Sequence, residues 1–133
     1  MEANKRKMIQ DETLLETEAL DNGVALNLYD ASRKVAGDRW QVVLIARARV
    51  PVTDALCRQC QPEDAARVRS LLGESQAWEQ KRERNFIDEN EKEAVLAAMR
   101  ERFLRITRPY VAHPAFGARM LARRYQDLAK RRW

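Results

Sequence analysis

Hydrophobic and polar residues follow two different periods along this chain. In 24–33, Val24, Leu26 and Leu28 alternate with Asn27, Tyr29 and Arg33. In 39–52 the alternation is longer. Trp40, Val42, Leu44, Ala46, Ala48, Val50 and Val52 share one face, and Arg39, Gln41, Val43, Ile45, Arg47 and Arg49 share the other. Period two places successive side chains on opposite faces of a strand, so both segments predict half-buried strands. The connection 34–38 ends in Gly37-Asp38, a turn signal, so 24–33 and 39–52 are expected to form an antiparallel hairpin.

Further on the period lengthens. Residues 62–72 read as a helix: Pro62 suits its first position, Glu63 and Asp64 suit the positive end of the dipole, and Gly73 suits its stop. Residues 88–107 carry Val95, Met99, Phe103 and Ile106 at helical spacing. Asp88 and Glu91 stand as a capping box, and Pro109 follows the end. Residues 114–132 form a last helix, with Ala118, Leu121, Ala122, Tyr125, Leu128 and Ala129 on its buried face. Residues 75–87 read two ways. Their Glu, Gln, Lys and Arg content suits a helix. As a strand they set Trp78 and Phe86 on one face and Glu79 and Glu83 on the other, opposite the Arg39, Arg47 and Arg49 row. The preferred reading is a third, charged edge strand. Residues 13–20 stay open between a short helix and an extended lead-in, and 1–12 read as a frayed tail. The expected fold is α+β: a small antiparallel sheet packed by three helices, in a single domain spanning 1–133.

Composition narrows the class. Apolar residues make up 45% and charged residues 34% of 133 positions, which describes a folded, highly charged chain rather than a disordered one. The first ten residues hold no apolar run, and no apolar run anywhere exceeds the six residues of 94–99, so neither an export signal nor a transmembrane segment is expected. With only two cysteines, a reducing, cytoplasmic setting is the expectation.

Charge adds the first functional signal. Residues 100–133 contain ten Lys/Arg and two acids, whereas residues 1–99 carry a small negative excess. Concentrated positive charge attracts an anionic partner. The candidate binding residues are Arg119, Arg123, Arg124, Lys130, Arg131 and Arg132 on the last helix, with Arg39, Arg47 and Arg49 as a secondary basic row. Tyr110, Phe116 and Trp133 lie near the first set as candidate stacking faces.

Catalytic parts are scarce. Cys57-Arg58-Gln59-Cys60 is a lone CxxC read just ahead of a helix N-terminus, where a thiol pKa falls. It lacks the second ligand pair that zinc needs and the βαβ surroundings of a redox site, so ordinary thiols are the preferred reading. His113 is the only histidine, with no orienting partner in view. No cofactor is expected. The leading expectation is a non-enzymatic interaction module whose basic C-terminal helix binds an acidic protein. Non-specific nucleic-acid binding by that helix is the alternative, and a thiol redox or metal role for Cys57 and Cys60 comes third. A homodimer is a further expectation, formed along an unpaired side of the long strand or on the Val95/Met99/Phe103 stripe.

Overall fold

A computed structural model describes residues 12–131. Four strands come first: β1 (Thr13–Ala19), β2 (Ala25–Asp30), β3 (Arg33–Ala36) and β4 (Arg39–Pro51). A helical insertion follows, made of α1 (Asp54–Cys60), a 3-10 turn (Pro62–Asp64) and α2 (Ala65–Leu72). The chain then returns as β5 (Ser75–Asp88) and finishes in α3 (Lys92–Ile106), α4 (Arg108–Ala112) and α5 (Phe116–Arg131). All strand pairings are antiparallel, and the fold is α+β.

β4 is the centre of the sheet. β2 and β3 pair along one of its edges, β5 pairs along the whole of the other, and β1 lies outside β2. β2 and β3 act as one strand in two pieces. At the break Ala31 N donates to Val43 O, and the Ser32 hydroxyl accepts from Val43 N, so the ladder loses nothing. Gly37 turns the chain into β4 at φ +54, a conformation that costs glycine little.

The period-two reading of 39–52 places the core. Val42, Leu44, Ala46, Ala48, Val50 and Val52 are all buried, against Leu26 and Leu28 in the sheet and against the helices above. Those helices contribute Cys57, Val68, Leu72, Met99, Phe103, Phe116 and Leu121. Fully burying one such aliphatic side chain stabilises by about 1.5–3 kcal/mol. Among the described residues, helices cover only this face. On the other face Val43 and Ile45 are also buried, because a central strand is flanked on both sides, here by Tyr29, Lys81 and Glu83 in register.

Several elements depart from the sequence reading. Residues 13–19 form an edge strand. The cysteines lie within a helix, α1, started by the Thr53 side chain accepting from Leu56 N. The expected 62–72 helix is a 3-10 turn followed by α2. The expected 88–107 helix begins at Lys92, because Asp88 belongs to β5. Its carboxylate accepts from Asn90 N in a local turn, and Glu91 makes no side-chain cap. Pro109 does not simply end that helix; it opens the short α4. The last helix begins at Phe116 rather than at 114, its expected end at 132 lies outside the described residues, and Met120 joins its buried face. There are therefore five α-helices among the described residues where three were expected. β4 has both edges occupied, so the long strand offers no free side for a second chain.

The strand reading of 75–87 is the structure's: Glu79 stands opposite Arg47, whereas Glu83 stands opposite Val43 rather than an arginine of the row. Phe86 leaves the pattern. Between Val42 and Trp40, β4 spends one residue while β5 spends two, and Phe86 takes a positive φ of 55° in this bulge. The bulge separates it from the Trp78 face, leaves it 73% exposed, and sets it with Val35 and Gln41 around a shallow hollow.

Candidate functional site

α5 is held in place by apolar contacts and one polar strap. Phe116 and Leu121 are buried against the core, and Phe116 meets Trp78 and Tyr110 edge to face at 5.8 and 5.6 Å. The strap is Arg124. Its Nη1 donates to Gln76 Oε1 and its Nη2 to Ala77 O, each at 2.7 Å, tying the helix to the start of β5. Arg124 is thus half-buried and engaged, apart from the rest of its set.

The other cations of the helix are differently placed. Arg119, Arg123, Lys130 and Arg131 are exposed, and among the described residues none makes a salt bridge or a side-chain hydrogen bond. Arg119, Arg123 and Lys130 recur at helical spacing along one edge, and Arg131 lies on the other edge with Arg124. Asp127 is the one acid of the helix and leaves this surface positive. Arg132 and Trp133 lie outside the described residues.

The secondary row has another fate. Arg47 donates to both carboxylate oxygens of Glu12 at 2.7 Å, lies 3.4 Å from Glu79, and stacks 4.9 Å above the Tyr29 ring. The Arg47 hydrogen bonds hold the Glu12 carboxyl below the usual carboxylate range, against the opposing effect of burial, and Glu12 raises Arg47 in turn. Arg39 pairs with Asp88 at 3.3 Å, and Arg49 donates to Ser75 Oγ at 2.7 Å. Glu83 pairs with Lys81 rather than with an arginine of this row. Two arginines of the positively charged last quarter are also spent internally. Arg100 pairs with Glu16 and Arg108 with Glu18, clamping α3 and α4 onto β1.

The remaining candidates have structural partners. His113 accepts from Ala115 N through Nδ1 at 2.9 Å, a local bond at the start of α5. Cys57 is buried and Cys60 half-buried, and neither is in a disulfide. Desolvation, followed by the neighbouring Cys57, pushes the Cys60 thiol up, away from the thiolate form that redox and metal chemistry use. Among the described residues no three His, Cys, Asp or Glu side chains converge as a metal site, and no helix is long and apolar enough to cross a membrane. Of the aromatic residues near α5, Phe116 is buried, and Tyr110 is half-exposed with its ring against Phe116.

The sequence reading missed a second group of cations. Arg82 and Arg84 on β5, with Arg102 on α3, line a hollow whose apolar wall is Met99, Phe103 and Ile106. The available signal was the period of two in 75–87, which puts residues 82 and 84 on the face of Trp78. Their neighbour in space is about twenty residues away in sequence, so no local run of charge marks the cluster. No protein-family model, curated protein or solved structure matches this chain.

Proposed function

We propose that the protein is a non-enzymatic interaction module of the cytoplasm, whose α5 docks onto an acidic protein surface. The observation that carries this reading is the set Arg119, Arg123, Lys130 and Arg131: exposed cations with no acid partner among the described residues, on a helix fixed from behind by Arg124. A rigidly held positive surface steers an acidic partner and fixes its orientation at little entropic cost. An acidic protein is favoured over a nucleic acid because, among the described residues, the aromatic rings near α5 do not form a stacking platform. Phe116 is inside, and Tyr110 packs its ring against it.

Binding of labelled poly-L-glutamate at low and moderate salt tests the reading, with a single-stranded oligonucleotide of similar charge as competitor. Poly-L-glutamate is expected to bind, and Arg119→Glu with Arg123→Glu is expected to weaken that binding about 10–100-fold at low salt. Preferential binding of the oligonucleotide would transfer the site to nucleic acid. No binding of either at low salt would remove it.

A further inference from the structure

The open edge of β5 and the neighbouring face of α3 form a second site, independent of α5. In β5 the even-numbered residues bond to β4, as the neighbouring Glu74 O does in accepting from Val52 N. The odd-numbered residues therefore turn their backbone groups outward. At Ala77 the outward carbonyl is taken by Arg124. At Glu79, Lys81 and Glu83 no strand partner exists among the described residues, and the one contact is a long 3.4 Å approach of the Arg82 guanidinium to Lys81 O. The bulge at Phe86 ends the usable edge. What remains is a straight, unpaired edge of about three donor–acceptor pairs, enough for a short extended peptide.

α3 packs above this part of β5. Two adjoining hollows, of about 310 and 590 Å³, share Arg84, Met99 and Arg102 and run along the helix beside β5. The first has an apolar wall of Met99, Phe103 and Ile106 and is rimmed by Arg82, Arg84 and Arg102. Its one acid, Glu83, is already paired with Lys81. Glu91 and Glu101 lie along the second hollow, where Arg105 joins the arginines. Arg84, Arg102 and Arg105 make no salt bridge or side-chain hydrogen bond among the described residues.

The geometry points to an extended acidic peptide that adds to β5 as a sixth strand, with apolar and acidic side chains turned toward α3. Backbone pairing supplies affinity, the exposed Ile106 beside the edges of Met99 and Phe103 takes an apolar side chain, and Arg84 and Arg102 take carboxylates. Charge selects this occupant over the alternatives. The chain's own first residues carry Lys5, Arg6 and Lys7, which the arginines repel. A second copy pairing β5 to β5 brings two Arg82/Arg84 rows together.

Fluorescence anisotropy with a labelled seven-residue peptide Thr-Glu-Thr-Val-Thr-Glu-Thr, which sets Glu, Val and Glu on one face of an extended strand, tests the site on the full chain. The peptide is expected to bind. N-methylation of its alternate backbone nitrogens, and separately Arg84→Glu with Arg102→Glu, are each expected to weaken binding about tenfold or more. Arg119→Glu with Arg123→Glu is expected to leave this peptide's affinity unchanged, which separates the site from the α5 surface. Equal binding by both N-methylated registers overturns the proposal, and that comparison needs no altered protein. Displacement of the peptide by a lower concentration of oligothymidylate, or a sedimenting dimer dissolved by Arg84→Glu with Arg102→Glu, also overturns it, in favour of nucleic acid or of a second copy.

Discussion

The arginines on the open face of the sheet and those on α5 are the same side chain put to opposite uses. Arg39, Arg47 and Arg49 lie on a central strand, where each has a partner delivered by register: Asp88, Glu79 and Ser75 all come from β5, and Glu12 precedes β1. On α5 the buried side of the helix is apolar, and Asp127 is the only acid it carries, so Arg119, Arg123, Lys130 and Arg131 face water without a partner from elsewhere in the described chain. The contrast shows that the location of a positive charge in the fold, rather than its density in the sequence, decides whether it is available to a partner. Arg100 and Arg108 belong to the positive quarter of the sequence yet are consumed by Glu16 and Glu18.

The contrast yields graded expectations. The largest concerns α5. Arg119→Glu with Arg123→Glu is expected to weaken poly-L-glutamate binding by about 10–100-fold at low salt, with thermal stability unchanged, as read by anisotropy and calorimetry. Arg47→Ala should behave the other way round. It strands Glu12 and Glu79 and uncovers Tyr29, so denaturant titration is expected to show a loss of about 1–2 kcal/mol while poly-L-glutamate affinity stays put. Arg124→Ala falls between the two classes, because that side chain stands on the basic helix but serves as a strap. A stability loss of about 1 kcal/mol is expected, with a smaller effect on binding than at Arg123.

The smallest expected effect is a pH dependence. Glu12 has a lowered pKa in the folded chain, so the unfolded chain holds the proton more tightly. Its contribution is therefore fully present above the unfolded value and is lost as pH falls through the lower folded value. Because the pair is close to solvent, that contribution is under about 1 kcal/mol. Glu12→Gln should flatten the acid limb of the stability–pH curve by that amount. An unchanged limb would mean that Glu12 and Arg47 do not interact in solution.

How much of this was legible beforehand depended on how local each signal was. The hairpin and the buried face of β4 follow from a period of two sustained over thirteen residues, and the strand reading of 75–87 from charges that complement the arginine row. β1 escaped because its helix-facing positions carry Glu16 and Glu18, acids that satisfy Arg100 and Arg108 more than eighty residues away. α1 escaped because its seven residues are started by a single Thr53 side chain and bury one cysteine. The bulge at Phe86 leaves no mark on the alternation until it is counted against β4. For the site, the charge of α5 was plain in the sequence, but the engagement of Arg124 was not, since Gln76 and a backbone carbonyl carry no charge to advertise it. The grouping of Arg82 and Arg84 with Arg102 needed the packing of α3 beside β5, which no spacing rule supplies.

The most direct test sets the two arginine populations side by side. Affinity for poly-L-glutamate would be measured across a salt series for the unaltered chain, for Arg119→Glu with Arg123→Glu, and for Arg47→Ala with Arg49→Ala. The expected outcome is salt-sensitive binding that the α5 pair weakens about 10–100-fold at low salt and the sheet pair leaves intact. Equal loss in both variants, or binding untouched by the α5 pair, would contradict the claim that α5 holds the available charge.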